Sequence, residues 1–351
     1  MTELQQQKFL YLYSSSKFNV NTRFLQISFV VLVSLQHVRG QSPATLFQSK
    51  APLHIRADTK IKYIKKNLND SSYTARKIYY EKSPGNWDSL TVGVQLHGHF
   101  RRENCQLPPT KLKLKKSDTK NTLFEGTKKL KLVVPCQRTR DKDQLIVREY
   151  LCYQFYEKIS PYHFSTRLLS LDLTDYSKKK PDKIPSLAFF IEDIDPIAEK
   201  NNATETKGST LMPGLFNVKE SVRNDLFQFM IGNIDWSAVY QHNIRVIKSG
   251  KDPFIAIPYD FDMSGFVNAP YAQSTREHVY RGFCRDESFL QEVRQEFIKL
   301  QSDFNATIDG HSEYFSSSDK DDMKSYLDGF FDILKDNQRF KESIIEKCRT
   351  K

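Results

Sequence analysis

Several chemistries are excluded by what this chain lacks. It has five cysteines and none stands in a C-x-x-C pair, so the common structural zinc spacings are missing. His97, His99 and His242 form no H-x-x-x-H pair on a helix, which leaves them ordinary polar roles. There is no G-x-S-x-G turn to expose a serine nucleophile, and no G-x-G-x-x-G loop to wrap a phosphate chain. Zinc-finger and RNP-type signatures are absent too, so the positive charge belongs to no recognisable nucleic-acid module. The N-terminal apolar run at residues 24–35, about 12 residues, is too short for a membrane-spanning helix of roughly 20. No internal repeat or low-complexity block breaks the chain.

What is present is a globular composition. With 351 residues, 39% hydrophobic and 13% aromatic, the chain can bury a large core or two modest ones. Its net charge of +11 comes from lysines scattered over residues 111–116, 128–131 and 178–183, which suits a phosphate-handling cleft or an acidic substrate better than nucleic acid. Lys17 and Arg23 precede the apolar run, and Val38-Arg39-Gly40 offers small residues before a cut ahead of Gln41. Residues 1–40 therefore read as an export signal, the alternative being a buried strand or helix. An exported chain would meet an oxidising compartment, where Cys105, Cys136, Cys152, Cys284 and Cys348 allow one or two disulfides and leave a thiol over. Sequons stand at Asn69, Asn202 and Asn305.

Residues 41–195 read as mostly strand and residues 196–351 as mostly helix, which suggests two lobes joined near 193–210. Period-two alternation predicts strands at 53–57, 90–97, 111–115, 129–134, 167–173 and 186–192, the first three as neighbours in an antiparallel sheet with one wet face. The period changes to helical at 143–158. Further helices are expected at 218–231, 287–304, 320–334 and 340–348.

Residues 229–272 gather oxygen ligands around two apolar runs. Asp235, His242 and Asn243 precede the first run, and Asp260 and Asp262 follow the second. Carboxylates and a carboxamide at strand ends are what a divalent cation carrying phosphate oxygens needs, because magnesium takes hard oxygen ligands. An aspartate followed by an asparagine also matches phosphoryl transfer, where the first orients the attacking hydroxyl and the second binds metal. The ordinary alternative for each is a turn or Asx cap. For Arg101, Arg102, Lys111 and Lys113 it is a solvated strand face.

Asn233-Ile-Asp235-Trp236, His242-Asn243 and Pro258-Tyr-Asp260-Phe-Asp262 resemble the spore-coat CotH kinase-like proteins. The segment from Leu96 through Gly98, Arg101 and Arg102 to Lys111-Leu-Lys113 is similar to that family's glycine and arginine stretch before a lysine-rich strand, and Phe189 to Asp195 looks like its strand ending in Glu. The resemblance implies an α+β, atypical protein-kinase-like fold of two lobes, a β-rich one over residues 41–195 and an α-rich one over 196–351, with ATP and Mg²⁺ or Mn²⁺ between them. It implies that Gly98, Arg101 and Arg102 cover phosphates, that Lys111 or Lys113 neutralises them, that Glu149 holds that lysine, and that Glu192 lies beside the adenine. Asp235 would be catalytic, with Asn243 and Asp260 as metal ligands and Asp262 as the alternate. The implied activity is transfer of the γ-phosphoryl group of ATP to a protein or cell-surface hydroxyl, outside the cytoplasm. The rival expectation is a surface structural or adhesion protein that keeps such a fold without catalysis.

Overall fold

Leucine alternating with lysine sorts itself in space as the period requires. In β4 (Thr110–Leu114) and β5 (Lys129–Val133), Leu112, Leu114 and Leu130 are buried in one apolar cluster while Lys113 and Lys129 are exposed. The computed structural model describes residues 44–67, 72–96, 103–272 and 275–350. The expected export signal, Gly98, Arg101, Arg102, His97, His99 and Asn69 lie outside the described residues.

Among the described residues seven strands carry the first half: β1 (Leu53–Thr59), β2 (Thr74–Ser83), β3 (Asn86–Leu96), β4, β5, β6 (Thr166–Asp175) and β7 (Asp182–Glu192). They close into a barrel in the order β1-β2-β3-β4-β5-β7-β6, antiparallel throughout except where β6 meets β1 in parallel, from Leu53 opposite Leu169 to Thr59 opposite Asp175. Closure removes two edge strands that would otherwise expose unpaired backbone. A second, three-stranded sheet has the order β10-β9-β8, with β8 at Thr204–Thr206, β9 at Ile244–Lys248 and β10 at Ile255–Pro258.

The main helices are α1 (Lys142–Ile159), α2 (Ile194–Lys200), α3 (Val218–Met230), α4 (Glu287–Asp309) and α5 (Ser317–Lys335). Caps fix their starts: Asn217 accepts from the Glu220 N–H, Asp286 from the Ser288 N–H, and Ser316 forms a reciprocal capping box with Asp319. Helix α1 is buried on nearly every side, so its charges must be matched. Arg148 meets Asp322 at 3.1 Å.

The two-lobed kinase-like fold is corrected by this arrangement. The expected open β-rich lobe is a closed mixed barrel, and the residues on either side of the expected 195/196 boundary share one core. Phe190 points into the barrel, whereas Phe189 and Ile191 on either side of it join α1, α3, α4 and α5 in that second core. Periodicity finds strands but carries no information on closure, because β1 and β6 meet across more than a hundred residues of intervening chain.

Six of the barrel strands and both β9 and β10 stand where alternation or the apolar runs suggest, while β2 and β8 come as additions. Strand β2 turns into β3 through Gly85, whose φ of 78° needs a residue without Cβ strain. The helix expected at 340–348 is instead a short turn, Asn337–Phe340, followed by a wide π-type turn, Lys341–Ile345. Two disulfides form, Cys105–Cys136 and Cys284–Cys348, and Cys152 remains a buried thiol.

Candidate functional site

On the outer face of the barrel, Lys111 of β4, Lys131 of β5 and Ile191 of β7 lie in one cross-strand row. Helix α1 and the chain after β10 cover this end of the row, so the Lys131 side chain is only 11% exposed. A buried ammonium needs compensation. The Lys131 Nζ meets Asp260 Oδ1 at 2.9 Å and lies 5.3 Å from the centre of the Tyr259 ring. Burial pulls its pKa down, but the carboxylate of Asp260, then that of Glu149, outweigh the burial and hold it above the ordinary lysine value. Lys131 is thus a fixed cation, ion-paired with the carboxylate at the end of β10 and further stabilised by the charge of Glu149 on α1.

Beyond it lies a cleft between the barrel and the small sheet. Its walls carry Lys111, Lys129, Lys207 and Arg245 beside the rings of Tyr73, Phe164 and Tyr259. Lys111 is pushed below its usual pKa, first by burial and then by the charge of Arg245. Such crowding marks a place where an added anion would be stabilised. Part of the charge is already balanced: Arg245 pairs with Glu205, Lys207 meets the same carboxylate at 2.7 Å, and Lys129 sits 3.2 Å from Asp193. Glu192 closes one side. Burial raises its pKa against the hydrogen bonds from Ser165, whose N–H donates to Glu192 Oε2 at 3.2 Å.

Asp260 is held from two directions. Its N–H donates to Tyr153 Oη on α1 at 2.9 Å, and its φ is 67°. Asn243 also has a positive φ, 52°, and its carbonyl accepts from the Tyr259 N–H at 3.1 Å. Pairing of Ile244 with Pro258 in the small sheet therefore sets Asn243 directly beside the residue that precedes Asp260. The Asn243 amide donates to the Asp235 carbonyl at 2.8 Å and to Asp235 Oδ2 at 3.0 Å, which leaves its own Oδ1 turned away from that carboxylate. Asp235 Oδ1 meets His242 Nε2 at 2.8 Å, and its N–H is capped by Asn233 Oδ1 at 3.0 Å. Two left-handed, non-glycine residues next to one another in space are a strain that the sheet and the Tyr153 bond must hold in place.

Several expected positions fall elsewhere. Glu149 acts electrostatically on Lys131 rather than on Lys111 or Lys113, and the ion pair that Lys131 makes is with Asp260. Lys113 is exposed, with its Nζ 5.6 Å from the Tyr73 ring centre. Asp262 turns away to a small recess shared with Glu149 and accepts from Tyr271 Oη at 3.1 Å. Asp235 and Asn243 are hydrogen-bonded to one another, whereas Asp260 is joined to them only through the backbone bond from the Tyr259 N–H to Asn243. Among the described residues no group of three or more His, Cys, Asp and Glu is placed to hold a metal ion. Asn243 and Asp260 carry oxygen donors of the hard kind that Mg²⁺ or Mn²⁺ takes. Lys131 was the residue sequence reasoning missed. Its signal was the alternation at residues 129–132, which sets it on the same face as Lys111, but nothing local reveals what covers it.

No family model matches the chain, and no solved structure does. Over 81 residues it is 30% identical to enolase-phosphatase E1 of Shewanella loihica, a stretch of 23% of this chain and 35% of that protein. The chain thus spans about a third of that relative's length, too little to assign a family.

Proposed function

We propose that the chain is an exported phosphotransferase of the CotH-like kind, transferring the γ-phosphoryl group of ATP to a protein or cell-surface hydroxyl with Mg²⁺ or Mn²⁺. The observation that carries this reading is Lys131, largely buried and ion-paired with Asp260, with the Glu149 charge adding to its stabilisation, at the floor of a cleft lined with further cations and aromatic rings. Phosphoryl transfer asks little covalent work of a protein; it asks for placement and for charges that meet the phosphate oxygens. Lys131 and Lys111 would bind those oxygens, and Tyr259 and Phe164 offer faces for a base. Asn243 Oδ1 and Asp260 would hold the cation, which when bound supplies neutralisation of the phosphate charge. Asp235 stays 41% exposed against His242, so it can meet an acceptor hydroxyl arriving from solvent and take or orient its proton. The two disulfides fit an exported chain.

A second reading, a non-catalytic surface protein, is favoured by one observation: Asp260 is committed to Lys131 and the Asn243 amide to Asp235. A thermal shift with ATP and Mn²⁺ followed by labelling with γ-labelled ATP separates the two. The phosphotransferase reading expects stabilisation of the wild type, stabilisation nearly intact in Asp235→Ala, and label transfer lost by at least about a hundredfold in that variant. No shift and no label leaves only the scaffold.

A further inference from the structure

At the barrel end where β1 and β6 finish, the interior is not sealed. A cavity of about 100 Å³ opens there, lined by aliphatic side chains that include Ala57, Ile64, Val94, Leu112, Leu132 and Leu173. An apolar cavity of roughly 150 Å³ is enough to stay dry and hold a benzene ring, so this one has room for several methylene groups. Next to it a more open recess of about 440 Å³ shares Asp58, Thr59 and Arg76 with the cavity and adds Lys60, Tyr63 and Tyr176. The two tyrosines are 49% and 45% exposed.

The lip of this mouth is basic on both sides. The short helix Ile61–Asn67 turns Ile64 inward and Lys62, Lys65 and Lys66 outward. The loop between β6 and β7 adds Lys178, Lys179 and Lys180, all exposed. Asp175 ties the two together, accepting from the Ile61 N–H and the Ser177 N–H at 3.0 Å each, and Ser177 Oγ in turn accepts from the Lys62 N–H at 3.1 Å. An aliphatic hole whose mouth carries Lys60, Arg76 and Lys77 against a single carboxylate, Asp58, with exposed tyrosines beside it, has a complement of one kind: an acyl chain attached to an anionic head group. Methylene groups gain by leaving water, the head group gains from those cations, and tyrosines favour the boundary between apolar and wet.

We infer that the barrel mouth binds an anionic amphiphile, its acyl chain entering between Ala57 and Leu173 and its head group lying against Lys60, Arg76 and the lysines at 178–180. The site is on the interior side of the barrel wall, whereas the Lys131 cleft is on the exterior, so the inference does not rest on the phosphotransfer reading.

The experiment is co-flotation of the full chain with vesicles of phosphatidylcholine, or of phosphatidylcholine mixed with phosphatidylglycerol, alongside a titration with decanoate in solution. The chain should float with the anionic vesicles and stay behind with the neutral ones. Reversing Lys178, Lys179 and Lys180 to Glu should weaken that binding by at least about a hundredfold, since each basic residue near an anionic surface contributes several-fold. Ala57→Phe, which fills the cavity, should weaken both vesicle and decanoate binding by about tenfold; Ala57→Leu serves if the larger ring prevents folding. Decanoate binding without vesicle binding, sensitive to Ala57→Phe, makes a free fatty acid the source and sustains the inference. Binding to anionic vesicles that ignores both Ala57 variants, equal retention on duplex DNA that ignores them, or no binding of either probe overturns it.

Discussion

Lys113 and Lys131 occupy adjacent strands on the same outer face of the barrel, in the same leucine-lysine alternation, yet they live under opposite physics. Lys113 is exposed, its Nζ 5.6 Å from the centre of the Tyr73 ring, where water and salt screen most of its charge. Lys131 is covered by α1 and by the turn after β10 and sits 2.9 Å from Asp260. Strand pattern sets which way a side chain points; the elements that arrive later in the sequence decide what that direction costs. The difference also separates charge that serves solubility from charge that must be paired.

The largest effect follows from breaking the buried pair. In Lys131→Met, Asp260 and Glu149 lose the cation that compensates them, and removal of one partner of a buried pair costs about 3–5 kcal/mol. Urea unfolding should show that loss. The double variant Lys131→Met with Asp260→Asn should recover a measurable part of it, because a charge without a counter-charge is then removed as well. An unchanged midpoint in the single variant would mean that Lys131 is a solvated lysine like Lys113.

Asp225 extends the comparison to a buried group whose partners do not win. Burial raises its pKa to about 7, even though Arg285, Arg349 and the Phe283 N–H, at 3.3 Å, pull the other way. The sign follows from proton counting. A carboxyl with a raised folded pKa binds more protons folded than unfolded between its unfolded value of 3.8 and about 7, so its contribution is full below that window and is lost as pH rises through it. The wild type should lose roughly 2 kcal/mol more than Asp225→Asn between about pH 5 and 7. Parallel stability-pH curves for the two proteins would contradict this.

Much of the site could be seen in the sequence because it is carried by neighbours along the chain. Asp235, His242 and Asn243 lie within one turn and the start of β9, and Asp260 ends a short strand that pairs with it. Local spacing is therefore a fair guide to them. Which lysine feels the charge of Glu149 depends on which stave of the barrel α1 crosses, a tertiary matter that the sequence does not carry. Asp262 was misplaced for the reverse reason: two residues after Asp260 the chain has already turned toward Tyr271. The barrel itself was the least legible feature. Its strands could be found by period two, but the parallel seam between β1 and β6 leaves no local trace.

The smallest effect is the one that tests the comparison from its exposed side. Lys113→Ala removes a cation whose ring contact is distant and solvated, and an exposed cation–π contact contributes about 0.5–1 kcal/mol at most. Alanine also sits less well than lysine's long stem against a sheet face, so the two terms together should remain below about 1 kcal/mol in urea unfolding. ATP affinity with Mg²⁺ should change less than about threefold, whereas the same substitution at Lys111, which lies in the row with Lys131, should weaken it by at least about tenfold. Equal losses at the two positions would place Lys113 in the cleft and dissolve the distinction between the covered and open ends of the lysine face.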